Sequence, residues 1–501
     1  MKSKKLVFLI AAVLLACLIF SACGESSGGG VSDIDVDDIA RAARLDGEPD
    51  PQNPDPEPEE ITDNIPELDF GGYEFKILNT IQDDLHYMNL LMEPYVYEDT
   101  GDIINDAAYR RSIEIQERFN CKITEIAVSH GSRGASFRRA AQAGDNSYDI
   151  ACIEYGEALS AASGGLIYDI NELTYIDLDA PWWDRNAKES LSMSNKIWFC
   201  PGAYELSNFD MTRILLFNKQ MVQDYGISDD VYNLVNTGAW TFEKFFGMAK
   251  QVSNDLNGDG RFDFNDVFGA GSTADHVVFG AFMNGAGEIS IGKDSNDLPY
   301  FTTNTERFNR AFQLMTDNFN DGDFYFAPKN VPAAEDWCTN MFNEDRLLFY
   351  IITFNRIPKF RDMDADFGIL PAPKLDESQE RYYCESGSGM VAVIPQTASN
   401  PDNNGAFLEA YAYYGYKYVV PQYKEISLKT KMARDDESAA MVDIIDVSRV
   451  YDLGRLYWGS NARDPYVSQF GSGRAEVASI TERNADRVAA SIEKTLGELF
   501  D

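Results

Sequence analysis

The residues best equipped for chemistry lie between 255 and 266, which read Asp255, Leu256, Asn257, Gly258, Asp259, Gly260, Arg261, Phe262, Asp263, Phe264, Asn265, Asp266. Oxygen-bearing side chains fall at positions one, three, five, nine and twelve of a twelve-residue loop. Gly260 at position six permits a sharp turn, and Arg261 at position seven can lend its backbone carbonyl. A hard cation needs that many oxygens converging on it, and four carboxylates this close repel one another without one. The spacing predicts a structural Ca2+ site held by Asp255, Asn257, Asp259, Arg261, Asp263 and Asp266. Two departures bear on its role. Position twelve is Asp where Glu would reach further, and Val267 to Gly271 does not read as an exiting helix. The loop is therefore expected to brace the fold, not to open a groove as sensors do. The alternative is an acidic Asn-Gly turn that binds no metal.

Motifs for catalysis are missing. The three histidines, 86, 130 and 276, form no HExxH or paired spacing, and no GxSxG elbow occurs. Gly287 to Gly292 followed by Lys293 approaches a phosphate loop, but Asp294 stands where Ser or Thr is required. Acid pairs are too common in this chain to count toward a glycosidase. No enzyme activity is expected. The balance of 43 Lys and Arg against 81 Asp and Glu, a net charge of −38, excludes nucleic acid as a partner, because that binding draws on a surplus of cations.

The ends of the chain say where it works. Lys2, Lys4 and Lys5 precede the apolar run Leu6 to Phe20, which suits an export leader better than a membrane span. The run closes on Phe20, Ser21, Ala22, Cys23, with Gly24 next, small residues before a cysteine that resemble a bacterial lipobox. Residues 1–22 then form the leader and Cys23 carries the lipid, which places the mature chain on the outer face of a cell membrane. An ordinary peptidase site nearby, or cleavage before Cys17, is the alternative. Residues 23–66 hold 13 acids and two Arg with many Pro, Gly and Ser. They cannot bury enough apolar surface to order themselves and read as an extended tether, with a short helix at 33–45 as a variant. The remaining cysteines, 121, 152, 200, 338 and 384, are odd in number and lack a CxxC pair or a dense framework, so most read as buried free thiols.

With 501 residues and 44% hydrophobic side chains, the chain exceeds one core and two lobes are expected. After Pro66 the pattern is α/β. Strands are predicted at 73–78, 122–128 and 148–153, with helices opening at Asn105 and around 136–143. That alternation implies a parallel sheet. The loop from Glu154 to Glu157 then follows a strand and precedes a helix, where ligands sit in such sheets. Further strands are predicted at 198–203, 212–217, 347–352, 367–370 and 390–394. A helix from Lys219 ends at Gly226, another spans 406–418, and one capped by Thr241 carries the stripe Phe242, Phe245, Met248, Ala249, Val252.

Taken in order, several stretches resemble the extracellular solute-binding lipoproteins of bacterial ABC importers, family 1, the sugar-type group. They are the lipobox at Cys23, Tyr148-Asp149-Ile150 leading to Gly165 through Ile170, Pro181-Trp182-Trp183-Asp184, and Leu216 through Lys219 ahead of Tyr225-Gly226-Ile227. Gly238 through Phe245 with the acidic loop behind it, and Phe367 through Lys374, complete the set. The resemblance implies an α/β bilobal periplasmic-binding-protein-like fold of type II, two lobes joined by a hinge with a ligand cleft between them. It places the first lobe at 67–205 plus 366–425 and the second at 206–365 plus 426–501. It implies a monomer that closes on a carbohydrate and delivers it to ABC permease subunits.

Sugars offer apolar ring faces and many hydroxyls, which call for aromatic platforms beside carboxylates and amides. The candidate ligand contacts are Tyr155 and Glu157, Asp210 near the first crossing, Phe354 and Asn355, Trp182 or Trp183, and Trp458. Each aromatic has core packing as its alternative, and Trp240 is expected in the core. The competing readings are a surface carbohydrate-active enzyme or adhesin, and a binding protein for a peptide or another polar solute.

Overall fold

The structure is a computed structural model that describes residues 61–80, 98–320, 323–327, 334–360, 362–424 and 435–500. The chain divides into two units, Met1–Ile61 and Thr62–Asp501. The leader, Cys17, Cys23 and the 33–45 segment lie outside the described residues. The tether was expected to run to 66, but its end belongs to the folded body. Asp63 takes a two-pronged bond from Arg118 at 2.5 and 2.8 Å, and Ile65 is buried.

The strands are β1 Tyr73–Thr80, β2 Cys121–Val128, β3 Ile150–Glu154, β4 Arg213–Asn218, β5 Phe268–Ser272, β6 Ile291–Lys293, β7 Pro299–Phe301, β8 Tyr325–Phe326, β9 Leu347–Thr353, β10 Phe367–Leu370, β11 Cys384–Glu385, β12 Met390–Val393 and β13 Arg449–Val450. One sheet has the order β12-β3-β1-β2, with β1 parallel to both β2 and β3 and β12 antiparallel to β3. The other has the order β10-β4-β9-β5-β8, in which β5, β8 and β9 run parallel while β4 opposes β9 and β10.

The helix Ile103–Phe119 connects β1 to β2. Asp102, three residues before the expected start, caps it by accepting from the Ile104 and Asn105 N–H groups, both at 3.1 Å. Asn120 ends it in the left-handed conformation, which Asn tolerates better than most residues. Helix Phe242–Ala249 buries the predicted stripe from Phe242 to Ala249, with Val252 buried beyond its end, but the Thr241 side chain makes no capping bond. Trp240 is fully buried and donates its indole N–H to the Pro371 carbonyl at 3.0 Å. The strand expected at 198–203 does not form. Gly202 makes a single bridge to Trp183, and the ring of that tryptophan packs where a Cβ at 202 would stand.

A separate core covers each sheet. Phe75 and Phe407 stack at 4.4 Å in the first, which takes in the helix Pro401–Tyr414. The second sheet is covered on both faces. Leu215 and Phe217 of β4 point into one cluster, and Ile214 and Leu216 into another, the two-residue period of a strand. Two segments depart from the expected lobe boundaries. β10, expected with the first lobe, is hydrogen-bonded to β4 in the second sheet. Tyr451, Leu453, Trp458, Ala462, Val488 and Ile492, expected in the second lobe, pack into the first core. The last helix, Val477–Phe500, begins with Val477 and Ile480 in the second core and reaches the first with Val488 and Ile492.

All five described cysteines are buried free thiols, as expected. No helix among the described residues is long and apolar enough to cross a membrane.

Candidate functional site: the sheet edges and the crossings between them

Ligands of open α/β sheets sit outside the carboxyl ends of parallel strands. In the first sheet that edge is the end of β3, Glu154, which pairs with Met390 at the start of β12. In the second it is the end of β5 at Ser272 and of β9 at Thr353, where Arg213 opens the antiparallel β4. The chain passes between the sheets at 205–212, 384–389 and 448–452. These crossings are bonded to one another. Asn208 accepts from the Tyr155 hydroxyl at 2.7 Å and donates to the Met390 carbonyl at 2.7 Å. Ser386 Oγ donates to the Asn208 carbonyl at 2.7 Å, the Met390 N–H to Ser207 Oγ at 2.9 Å, and the Ser386 N–H to the Val450 carbonyl at 2.9 Å. Gly389 is required here, because a Cβ would meet Ser207 Oγ at 2.7 Å and the Asn208 backbone at 2.8 Å.

Two acids are buried inside this junction. Glu205 accepts from the Ser207 N–H at 2.7 Å and from the Ser207 hydroxyl and the Asn208 amide. Burial holds its carboxyl up at about 7 despite those bonds. Asp210 accepts from the Tyr423 hydroxyl, and burial likewise holds it up at about 7.

Beside the junction lies a cluster of charges. Glu385 is fully buried and pairs with Arg213, with Arg455 at 3.1 Å and with Arg463 at 3.4 Å. Burial alone would raise its carboxyl, but the three guanidinium groups outweigh that and hold it at about 2. His276, just past β5, is held down at about 4 by burial and by the same three arginines. Arg455 also donates to Ser388 Oγ and to the Ser386 carbonyl at 3.4 Å, so it links the edges of the two sheets.

The candidate contacts are placed as follows. Tyr155 is buried, its hydroxyl on Asn208. Glu157 is half-buried and paired with Arg138 at 3.0 Å. Trp182 and Trp183 are both buried, and their indole N–H groups donate to the two oxygens of Glu409, each at 2.8 Å. Both line a recess of about 110 Å³ with Asp184, Phe209, Tyr423 and Arg449. Asp210 lies inside the junction. Phe354 is buried and stacks on Phe209 at 4.7 Å, and Asn355, half-buried, accepts from the Thr353 hydroxyl at 2.7 Å. Trp458 is buried, stacks on Tyr457 at 5.1 Å and donates to Thr495 Oγ1 at 3.1 Å. Tyr155 and Glu157 follow the carboxyl end of β3 and Phe354 and Asn355 that of β9, whereas Trp182, Trp183 and Trp458 follow no strand of either sheet. Arg213, Glu385, Arg455, Arg463 and Asn208 were not foreseen, because 172 positions separate Arg213 from Glu385 and no local motif marks either.

In the 255–266 loop the carboxylates close on backbone N–H groups. Asp255 accepts from Gly258 at 2.7 Å and Gly260 at 2.8 Å, and the buried Asp266 accepts from Leu256 at 3.0 Å and Asp263 at 2.8 Å. Arg346 holds the loop from outside through the Asp266 carbonyl at 3.2 Å. Among the described residues no three His, Cys, Asp or Glu side chains converge as a metal-binding group.

The fold recurs in solved binding proteins. An extracellular solute-binding protein from Staphylococcus aureus in complex with maltose matches with a TM-score of 0.55 at 11% identity, over 85% of this chain and 99% of that one. An ABC substrate-binding protein from Listeria monocytogenes in complex with cycloalternan matches at 0.52 and 12%, over 85% and 99%. The Mycobacterium tuberculosis protein UgpB in complex with glycerophosphocholine matches at 0.54 and 14%, over 85% and 99%. At these identities the likeness concerns the bilobal fold. A sequence search of curated proteins found no match. The family model described as bacterial extracellular solute-binding protein matches residues 105–416, more than half of the chain. Two sheets with interlocked crossings, and that match, make this chain a member of the bacterial extracellular solute-binding proteins.

Proposed function

We propose that the protein captures a carbohydrate between its two lobes and delivers it to the permease of an ABC importer, without making or breaking bonds. The carrying observation is the meeting of two carboxyl edges at one bonded junction, which makes ligand-driven closure a change in a few crossing residues. Tyr155, Glu157, Asn355 and the Phe354 ring stand at those edges and form the proposed contact set. Of the tryptophans, Trp182 or Trp183 reaches a solute through the recess they line. Trp458 contributes only if its stack on Tyr457 opens.

Calorimetry against a panel of neutral and acidic oligosaccharides tests this directly. Saturable heat with unchanged sugars after overnight incubation is the expected result. Released product would make the protein an enzyme, and binding of peptides alone would replace the cargo.

On the same reading, the chain is a monomer anchored by lipid at Cys23, with residues up to about 61 as its tether. Mass spectrometry of the membrane-extracted protein should find a diacylglyceryl group on Cys23, and an unmodified amino terminus would refute it.

The loop from Asp255 to Asp266 is proposed to bind Ca2+ with the side chains of Asp255, Asn257, Asp259, Asp263 and Asp266 and the Arg261 carbonyl. Its support is the donor set, with a buried carboxylate at position twelve. Loops of this kind in extracellular proteins bind with Kd of about 10⁻⁴–10⁻³ M. Adding 5 mM CaCl2 (~10 Kd on that scale) to chelator-treated protein should raise stability by about 1.4 kcal/mol, seen as a higher melting temperature. An unmoved transition would remove the metal.

A further inference from the structure

The whole chain carries a charge of −38, yet the charge cluster beside the junction is cationic. Arg213, Arg455 and Arg463 face Glu385 and Asp452, which leaves one positive charge in surplus. Asp452 is already engaged with Ser290 Oγ at 3.0 Å and the Gly454 N–H at 2.8 Å. Among the described residues, Arg213 Nε and Arg463 Nε are buried without a hydrogen-bond partner, as are both polar atoms of the Asn284 amide. Asn284 lies on the helical run from Asp275 that also carries His276 and Gly280, and Gly280 packs against Glu385 and Arg213.

Buried guanidinium groups with spare donors and excess charge are costly unless something negative completes them. The group that fits planar, forked donors is an oxyanion held by two parallel bonds. Arg455 is the partly exposed member, with 19% of its side chain accessible, and it reaches Ser388 at the other sheet edge.

We infer that the solute carries an oxyanion, a carboxylate, sulfate or phosphate, which Arg455 receives at the cleft floor with Arg213 and Arg463 behind it. The inference rests on the solute-binding reading and narrows its cargo to an acidic one. The anion has two sources, a substituent on a sugar or a free inorganic ion.

The test is calorimetry in phosphate-free, low-salt buffer with the full exported chain. The probes are galacturonate oligomers, glucose 6-phosphate, neutral maltooligosaccharides, and sodium sulfate and phosphate alone. At least one acidic sugar is expected to bind, with affinity reduced tenfold or more in Arg455→Gln and partly restored in Arg455→Lys. If Arg455→Gln does not fold, displacement of the bound acidic sugar from the native protein by excess sulfate carries the same information. Equal binding of neutral sugars by the native protein and Arg455→Gln, with no response to acidic ones, overturns this inference and leaves carbohydrate capture standing. Arg455-dependent binding of sulfate or phosphate with no glycan supports the anion site and overturns the carbohydrate cargo. No heat from acidic sugars or either ion overturns the inference.

Discussion

Replacing Glu385 by Ala should lower the melting temperature by on the order of 5–10 °C or prevent folding altogether. The carboxylate is fully buried and is the shared partner of Arg213, Arg455 and Arg463. Removing one member of a buried ion cluster costs about 3–5 kcal/mol, because the remaining charges stay where water cannot reach them. In a chain this large each kcal/mol moves the transition by about 2 °C or somewhat more. Glu385→Gln separates charge from packing. It keeps the shape and should lose nearly as much, since Asp452 alone then faces the three cations. A melting curve that overlays the native one in both variants would show that the arginines are neutralised by something else. The sign of the pH effect follows from the same group. Its carboxyl is at about 2 in the fold against 4.5 in the free side chain. Its stabilisation is therefore complete above 4.5 and disappears as the pH falls toward 2.

Between pH 8 and pH 5 the opposite trend is expected: the protein should become more stable as the medium is acidified. Glu205, Asp210 and Glu409 are each held at about 7 by burial, against ordinary values of 4.5, 3.8 and 4.5. An acid whose folded value is raised binds its proton more tightly in the fold. Its contribution is full below the unfolded value and is lost as the pH rises through 7. His276 works against them, taking its proton at 6.5 when unfolded and only near 4 when folded. Three groups gain and one loses, so the net slope favours acid down to about 5. With about 1.4 kcal/mol per pKa unit, the ceiling is several kcal/mol. Thermal melts in matched ionic strength should rise by several degrees from pH 8 to 5 and fall again below 4. A stability maximum at pH 8 would mean that these acids are ionised in the fold. Glu409→Gln should flatten the slope while keeping the acceptor for one of the two tryptophan N–H groups.

How much of this was readable in advance differs between the lobes and the cleft. Strand β10 and the stripe of helix Phe242–Ala249 were legible because their periods report burial locally. Trp198–Ala203 looked like a strand for the same apolar reason. It is instead buried against the adjacent Trp182 and Trp183, which tertiary packing decides and sequence period does not. The lobe boundaries misplaced β10 because the chain crosses after it, at 384–389, and a crossing leaves no compositional mark. The arginine cluster was invisible for a related reason. Its members come from β4, β11, the helix Leu453–Leu456 and the turn at Arg463, and only the fold brings them together. Tyr155 was singled out by its place after a strand, but its bond to Asn208 left no mark in the sequence.

The helix Val477–Phe500 has a consequence for how the molecule is made. Val477 and Ile480 complete one core and Val488 and Ile492 the other, so neither lobe has its last wall until this helix is in place. A nascent chain lacking those residues leaves apolar surface of both lobes uncovered and cannot settle early.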